Sequence, residues 1–595
     1  MERWGIMRWS LKELYTSFES EEFLKDLEKL DKLIVEFNNW ANENLLSIDN
    51  PVEKMEKFIA YSQDLSTLFT RLASFASLTS AVDAKNEVAL KNLDRLVIKG
   101  SELTKPNVQF QSFIKDLDNL DELINTSELL REHKFYLQEI KKRSRYMLSE
   151  KEEVLISKLT NTGSTAWTNL QNKITSTLMV EVNIDGEEKS IPLPAARNLA
   201  YDKDPAKRKA GYEAELKAYK KIEESSAAAL NGIKGEVITL AELRGYKSPL
   251  EETILNSRMD EETLNAMLTA MKEFLPVFHK YYRRKAELLG YENGLPFYEM
   301  FAPIGEVNRT FTYDEAMEYI IKNFRTFSDK LGDFAKNAYE NNWLDVEPRE
   351  GKRGGAFCSN LHPIGESRIM ANFSGSFSNM TTLAHELGHG YHGSCLKDES
   401  ILNSRYPMPI AETASIFCET IVVNAALNEA NQEEAIGILE ASISDAGQVI
   451  VDIYSRFLFE SELFERRKNN ALSVNELKEI MLEAQKEAYG NGLDHNHLHP
   501  YMWLNKPHYY TASRNFYNFP YAFGLLFSKG LYAEYLKRGQ EFVKEYDELL
   551  NATGKNDIKD VAMRMKIDVT DPEFFRSSLR LIEKDIEKFI ELTNK

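Results

Sequence analysis

The stretch His385-Glu386-Leu387-Gly388-His389 carries the strongest chemical signal in this chain. Residues four apart on an α-helix lie on one face, so His385 and His389 can offer their imidazoles to a single metal ion. The carboxylate of Glu386 lies beside them, where it can take a proton from water at that metal. The stretch therefore predicts a helix that carries part of a hydrolytic zinc site.

The neighbouring residues predict which way this helix faces. Leu383, Leu387 and Tyr391 form an apolar stripe on the side roughly opposite the two histidines. We expect the stripe to pack inward and to leave the imidazoles facing a cleft. The alternative is a pair of exposed or core histidines that bind no metal.

A third ligand is needed, because a catalytic zinc ion is held by three protein groups and keeps one position open for water. Pro409 opens a second predicted helix, 410–423, whose only charges are Glu412 and Glu419. Burying an ionised carboxylate without a partner is costly, and a divalent cation would remove that cost for Glu412. Glu419, two turns further along the same face, would either orient a ligating histidine or form an ordinary buried salt bridge.

His392 is the rival third ligand, since it follows His389 by three residues. It lies seven residues from His385, which is about 10 Å along a helix axis, so one metal ion does not readily reach both. The longer metzincin motif would require Gly at position 392 and His at position 395, where this chain has His392 and Cys395. Glu412 is therefore the predicted third ligand.

The composition limits the classes of function. The chain has 595 residues, 43% hydrophobic and 28% charged, with a formal net charge of −19. This length predicts more than one lobe, and the acidic balance argues against nucleic acid or an anionic membrane as the main partner.

Three cysteines without paired spacing, Cys358, Cys395 and Cys418, argue against a disulfide framework. With no secretory h-region after Met1 and no run of about 18 apolar residues, we expect a cytoplasmic protein.

Apolar residues recur at three- and four-residue spacing along most of the chain, which predicts a mostly α fold. The predicted helical segments are 11–45, 53–80, 150–178, 206–244, 261–289 and nearly all of the chain that follows the His-Glu helix. Alternating residues on both sides of Asp185-Gly186 predict a β-hairpin over 179–194.

Short strands are expected at 351–358 and 369–373, directly before the His-Glu helix. An extended edge at 369–373 would pair with substrate backbone, while a plain structural hairpin is the alternative. We expect an N-terminal helical lobe at 1–200 and a catalytic domain at 201–595.

Histidine and tyrosine are concentrated in the segment 495–521. Hydrogen-bond donors are common beside a zinc site, because hydrolysis of an amide builds negative charge on oxygen. For His495, His497 and His499 a solvated loop is the favoured interpretation, and a second metal site is the less favoured one.

Three segments together resemble one family. The run 380–392 (MTTLAHELGHGYH) with Glu412 downstream, 351–358 (GKRGGAFC) and 516–524 (FYNFPYAFG) are similar to the thimet oligopeptidase family of zinc metallopeptidases, specifically its bacterial oligoendopeptidase F branch. The resemblance covers most of 200–585 and extends more weakly to the N-terminal helices. It implies a two-lobed helical peptidase that encloses a deep channel and acts on oligopeptides rather than folded proteins.

The resemblance also implies roles for particular residues. Zinc, one ion per chain, would be bound by His385, His389 and Glu412, with Glu386 as the general base. The substrate carbonyl or the tetrahedral state would be bound by His508 and Tyr517, with Tyr521 as a further candidate. This chain has Gly524 where the thimet branch carries another tyrosine, so the principal donor among the tyrosines is left open.

We therefore expect a zinc-dependent endopeptidase that hydrolyses internal bonds of oligopeptides, with no nucleic-acid or membrane partner. One alternative is a non-catalytic peptide-binding scaffold with a structural metal, although such a site is usually closed by four protein ligands. A second is a broad protease with an open, thermolysin-like cleft, against which the expected lack of a secretory signal argues. The sequence makes no prediction of oligomeric state.

Overall fold

The computed structural model describes residues 7–594, and 70% of the chain is helical. This confirms the mostly α fold class. The helices that precede the first strand are α1 (Glu21–Asn44), α2 (Pro51–Val82), α3 (Glu87–Ser101), α4 (Thr104–Lys115), α5 (Leu120–Asn125), α6 (Glu128–Glu132), α7 (Lys134–Ser144), α8 (Glu150–Thr162) and α9 (Ser164–Ser176).

The rest of the chain places two small sheets among further helices. The elements up to the second sheet are β1 (Met179–Ile184), β2 (Glu187–Pro192), α10 (Leu193–Asn198), α11 (Pro205–Tyr219), α12 (Glu223–Arg244), α13 (Pro249–Asn256), α14 (Glu261–Leu288), α15 (Tyr313–Phe327) and α16 (Asp329–Glu340). The second sheet and the helix after it are β3 (Leu344–Asp345), β4 (Phe357–Leu361), β5 (Glu366–Met370) and α17 (Phe377–Cys395). The last helices are α18 (Met408–Ala411), α19 (Thr413–Glu429), α20 (Gln432–Gly447), α21 (Ile453–Arg467), α22 (Val474–Tyr489), α23 (Phe519–Arg538), α24 (Gln540–Ala552), α25 (Ile558–Met563) and α26 (Pro572–Thr593).

The predicted hairpin is confirmed. β1 and β2 pair antiparallel, with Ile184 opposite Glu187 at the turn. Asp185 (φ 57°) and Gly186 (φ 85°) both adopt positive φ, as a two-residue type I′ turn requires. The alternate residues Val180 and Val182 are buried, so the hairpin packs one face on the protein.

The helix predicted over 150–178 is divided into α8 and α9 at Gly163. The backbone N–H of Ser164 donates to Glu236 Oε2 (2.7 Å), so a carboxylate from α12 caps α9. A Cβ on Gly163 would lie 2.3 Å from the same oxygen. The break depends on a tertiary contact that helical periodicity does not report.

The sheet before α17 has the order β3-β5-β4. β5 pairs parallel with β3 and antiparallel with β4, so Ile369 and Met370 have neighbours on both sides. The prediction that the segment 369–373 offers a free edge is therefore wrong. β5 is the central strand, and the edge strands of this sheet are β3 and β4.

The strand predicted over 351–358 begins only at Phe357. Gly351 (φ 80°) and Gly355 (φ 79°) adopt positive φ, which L side chains rarely tolerate, and the residues between them form a loop. The loop is bound to the end of α2, because Gly351 O accepts a hydrogen bond from Ala84 N (2.7 Å).

Buried apolar side chains form two cores. The smaller core contains residues between Leu14 and Leu137, together with Leu361, Ile401 and Leu402. The larger core runs from Leu178 to Phe589 and includes the buried face of α17. The division of the chain into domains at residue 200 stays a prediction.

One helical stretch in the described part of the chain, Met408–Glu429, has the length and hydropathy of a membrane span. More than half of its apolar window (56%) is buried inside the protein. We interpret it as a core helix, because α19 packs against both α17 and α23.

Candidate active site

The helix α17 begins with a capping box. The side chain of Ser376 accepts a hydrogen bond from Asn379 N, and the side chain of Asn379 bonds back to Ser376 N. From this start, the stripe predicted to pack inward is fully buried: Leu383, Leu387 and Tyr391 are at most 1% exposed. His385 and His389 are only partly buried, on the other side of the helix.

Gly388 lets α17 and α19 approach each other closely. A Cβ at this position would lie 2.5 Å from Ala414 O and 2.6 Å from Ser415 Cα. Only a residue without a side chain allows this backbone contact, which brings the start of α19 beside the two histidines. Sequence reasoning did not single out this glycine, and the available signal was a helical Gly between two candidate ligands.

Glu412 completes a group of three donors with His385 and His389. Its Oε2 lies 3.2 Å from His385 Nε2 and 3.5 Å from His389 Nε2. All three donor atoms lie within 4.8 Å of one another, and no other group of this kind occurs in the described residues. We expected Glu412 inside one continuous helix. It lies instead at the junction of α18 and α19 (φ −86°, ψ 1°).

Two of the three separations between the donors are compatible with a tetrahedral metal ion such as zinc. Ligands at about 2.0–2.1 Å around a tetrahedral zinc are roughly 3.3 Å apart, close to the two observed N–O separations. Burial raises the pKa of Glu412, but the two imidazoles outweigh it and lower that pKa to about 2. Burial lowers the pKa of His385, but Glu412 and Glu419 outweigh it and raise that pKa to about 10. The space between the donors therefore favours positive charge.

Each of the two histidines also has a hydrogen-bond partner outside the group of three donors. His385 Nδ1 lies 3.1 Å from Glu419 Oε2, so Glu419 contacts a candidate ligand rather than a lysine or arginine. The ring of His389 bonds to the backbone of Ala411, and burial lowers its pKa to about 4. Such outer partners hold an imidazole in one tautomer and one orientation.

Glu386 is buried next to the three donors, with 7% of its surface exposed. Burial and the charge of Glu412 raise its pKa to about 7, although His385 acts in the opposite direction. A carboxyl group with this pKa can accept and return a proton near neutral pH.

The three remaining predicted residues contact one another in series. Tyr521 lines a pocket of about 240 Å³ together with His385 and Glu412. Its hydroxyl lies 2.9 Å from the hydroxyl of Tyr517, whose ring centroid lies 5.8 Å from that of His508. The structure thus places Tyr521 in the same pocket as His385 and Glu412, and it links Tyr517 to Tyr521 and His508 to Tyr517.

Gly524, where this chain departs from the thimet pattern, lies against Glu412. A Cβ at this position would lie 3.0 Å from Glu412 Cβ and 3.4 Å from Glu412 Cγ. The glycine lets α23 pack directly on the candidate ligand, and a tyrosine there would require Glu412 to move.

Other histidines that were weighed lie outside the metal group. His392 is buried, stacks on Tyr406 at 4.0 Å between ring centroids, and bonds through Nε2 to Thr553 Oγ1 (2.8 Å). His495 is exposed, in agreement with a solvated loop. That interpretation is wrong for His499, which is 2% exposed because it packs among aromatic rings, 3.6 Å from Glu215.

Comparison with known proteins identifies the family. The sequence matches peptidase family M3 over residues 198–581 and the oligopeptidase F family over residues 116–179. It is 24% identical to oligopeptidase PepF of Bacillus subtilis (strain 168), over 99% of this chain and 87% of that protein. A solved structure from Chlamydophila abortus superposes with a TM-score of 0.85 at 19% identity and covers 98% of both chains. Oligoendopeptidase-F from Enterococcus faecium superposes with a TM-score of 0.70 at 17% identity, over 96% of this chain and 99% of that one. The chain belongs to peptidase family M3, in its oligoendopeptidase F branch.

Proposed function

We propose that this chain is a zinc-dependent endopeptidase that hydrolyses internal peptide bonds of oligopeptides, with Glu386 as the general base. The observation that carries the proposal is the group formed by His385, His389 and Glu412, with Glu386 buried beside it. Membership of peptidase family M3 supports a peptidase, and the name of the Bacillus subtilis relative supports oligopeptides as substrates.

In this proposal His385, His389 and Glu412 would hold the zinc ion. When bound, the ion supplies Lewis-acid chemistry, which acidifies water near neutral pH and polarises a carbonyl group. Glu419 accepts the Nδ1 proton of His385 in a hydrogen bond and leaves the Nε2 lone pair free to bind metal. The remaining steps belong to the protein's own side chains.

Glu386 moves the proton. Its carboxylate removes a proton from the attacking water and then delivers that proton to the nitrogen of the leaving amine. Both transfers require a pKa near the working pH, and burial of Glu386 acts in that direction because it raises the pKa of the carboxyl group. The helix places this group next to His385 without further support from loops.

Tyr521 donates a hydrogen bond to the carbonyl oxygen that becomes negatively charged. Its side chain lines the pocket of the metal group, and the hydroxyl of Tyr517 lies within hydrogen-bond distance of the Tyr521 hydroxyl. Tyr517 therefore orients Tyr521 or donates in its place, and the ring of His508 packs behind Tyr517. A preorganised donor of this kind is typical of amide hydrolysis.

The pocket beside the metal group has an apolar wall. Ile416, Val449, Leu525 and Ile582 line it with the candidate ligands. We propose that it accepts an apolar side chain next to the scissile bond. The formal charge of −19 and the three free cysteines support a cytoplasmic peptidase with no nucleic-acid or membrane partner.

Product mapping by mass spectrometry tests the proposal. A mixed peptide library is incubated with the zinc-loaded protein, with chelated protein, and with chelated protein to which zinc is returned. We expect internal cuts that disappear on chelation and return with zinc. Cleavage that is indifferent to chelator, or removal of terminal residues alone, would contradict the proposal.

The same preparations separate the alternatives. A scaffold with a structural metal would unfold on chelation and release no products, whereas the proposed enzyme loses turnover while its helical circular dichroism remains. A broad protease would digest denatured casein as fast as short peptides, and we expect this protein to prefer the short peptides.

A further inference from the structure

A second cavity, of about 850 Å³, adjoins the pocket of the metal group. Asp445 of α20 lines both cavities, and Ser378, in the first turn of α17, lines the second one. The second cavity therefore lies beside the proposed reaction centre, on the side where α17 begins.

Most carboxylates that line this cavity already have partners. The pairs are Glu440 with Lys285 (2.5 Å), Glu215 with Tyr219 (2.6 Å) and with Arg197 (3.4 Å), and Asp452 with Arg456. Their charges are largely compensated by these contacts. Burial, together with the charges of Glu419 and Glu440, raises the pKa of Asp445 to about 6, so this carboxyl group stays mostly ionised at neutral pH and is the one without such a partner in the described part of the chain.

Lys506 is the exception among the cations. Within the described residues its ammonium group forms no ion pair and no side-chain hydrogen bond, although the side chain is partly buried and lines the cavity. Burial, with further contributions from the charges of Arg456 and Arg197, lowers its pKa to about 8, although the charges of Asp452 and Glu215 act in the opposite direction, so the group remains mostly charged at neutral pH. A partly buried cation without a directly bonded counter-ion is costly, and an anionic ligand in the cavity would reduce that cost.

The sequence position of Lys506 connects it to the proposed substrate-binding residues. It precedes His508 by two residues, and its charge contributes to the lowered pKa of His508. A peptide that extends from the metal group into the second cavity therefore meets Lys506. The anion that a peptide carries is a carboxylate.

We propose that Lys506 binds a carboxylate of the peptide substrate in the second cavity and makes this enzyme selective for peptides that present one there. The carboxylate is the C-terminal one or an acidic side chain near the end of the peptide. The inference rests on the proposed function for the nature of its ligand. Lys506 is a specificity residue in this proposal and takes no part in proton transfer.

Three fluorogenic peptides of one internal sequence test the inference on the zinc-loaded full chain. One has a free C-terminus, one has a C-terminal amide, and one has a C-terminal amide preceded by glutamate. We expect kcat/KM of the parent enzyme to be about tenfold higher, or more, for a peptide with the recognised carboxylate than for the plain amide. The free acid and the glutamyl amide identify which carboxylate is recognised.

Variants assign the preference to the side chain. Lys506→Met should lower kcat/KM about tenfold for the recognised peptide and leave the plain amide within about twofold. Lys506→Arg should keep the preference, because the charge remains. Lys217→Met, which removes an exposed lysine on α11, serves as the matched control and should change none of the three values.

The inference is overturned if the parent enzyme cleaves all three peptides equally, or if Lys506→Met lowers all three rates by one factor. Binding of labelled, uncleaved peptides to a Glu386→Gln background, measured by fluorescence anisotropy, gives the same comparison without turnover. If no peptide is cleaved, the proposed function fails, and the anisotropy series still decides whether Lys506 recognises a carboxylate. If Lys506→Met does not fold, Lys506→Gln supplies the uncharged variant for the same comparison.

Discussion

The Nδ1 atom of His385 lies 3.1 Å from Glu419 Oε2, while Nε2 of the same ring lies 3.2 Å from Glu412 Oε2. The imidazole is thus held between the carboxylate of Glu412, just before α19, and that of Glu419, two turns further along the same helix. A ring fixed in this way presents one nitrogen to the metal and keeps the other protonated.

Removing the outer carboxylate should weaken metal binding without removing a ligand. We expect Glu419→Ala to lower zinc affinity about 10–100-fold, and Glu419→Gln to have a smaller effect because an acceptor remains. Competition with a chromophoric chelator measures the affinity. Glu433→Ala, an exposed acid on α20, is the control. Unchanged zinc affinity in Glu419→Ala would refute the orienting role.

Glu386→Gln should separate metal binding from turnover. The amide keeps the size of the side chain and cannot accept the proton, so we expect zinc content to be retained and kcat to fall by at least about a hundredfold. Zinc is measured by atomic emission and turnover with a fluorogenic peptide. Parental turnover in this variant would remove Glu386 from the mechanism.

The two linked tyrosines should contribute unequally. Tyr521→Phe should lower kcat about 10²–10³-fold, because its side chain lines the metal pocket. Tyr517→Phe should cost less, since its hydroxyl reaches that pocket through Tyr521. The double variant should cost little more than Tyr521→Phe alone. A larger loss in Tyr517→Phe than in Tyr521→Phe would make Tyr517 the principal donor.

Gly388→Ala tests the close approach of α17 and α19. The added Cβ would lie 2.5 Å from Ala414 O, so the helices must separate, which typically costs about 1–3 kcal/mol. We expect a lower melting temperature and weaker zinc binding, because Glu412 would move away from the histidines. Gly354→Ala, where a Cβ meets nothing within 4 Å, should change neither property. Equal behaviour of the two variants would count against this packing argument.

His508 should make the fold sensitive to acid. Burial, together with the charges of Arg456 and Lys506, lowers its pKa to about 3, from an ordinary value near 6.5. A histidine buried in the neutral form stabilises the fold fully above about pH 6.5 and less as pH falls, because the unfolded chain then binds the proton. Between pH 7.5 and 5 the loss is about 2 kcal/mol.

Thermal unfolding of the parent and of His508→Gln at these two pH values measures this effect. The variant should lose less stability than the parent on acidification, because other titrating groups are common to both proteins. An identical loss in both proteins would show that His508 titrates normally in the fold.

Local patterns were sufficient for several features. The spacing of His385 and His389 predicted one shared helix face because that relationship depends only on helical geometry. Asp185-Gly186 predicted the hairpin turn because few residue pairs tolerate positive φ at both positions. The buried stripe of α17 followed from the same periodicity.

Other features depended on contacts between distant segments. The strand at 369–373 was expected at an edge of its sheet, yet β3 pairs with the side of β5 that was expected to be free. Because β3 has only two residues, its sequence shows no alternating pattern from which it could be predicted. His499 was expected in solvent, yet rings from α11 and from the segment after α14 enclose it. A pattern within one segment does not report which other segment will cover it.

The sequence by itself determined the mostly helical fold, the two histidines of one helix turn and the acidic residues available to join them, because these follow from short-range periodicity and side-chain chemistry. Only the tertiary structure decided that Glu412 meets the histidines, that Tyr521 shares their pocket and contacts Tyr517, and that Lys506 lines a cavity with no ion-pair partner among residues 7–594. Those relationships arise where helices distant in sequence pack together, and glycines at 388 and 524 set how closely they do so.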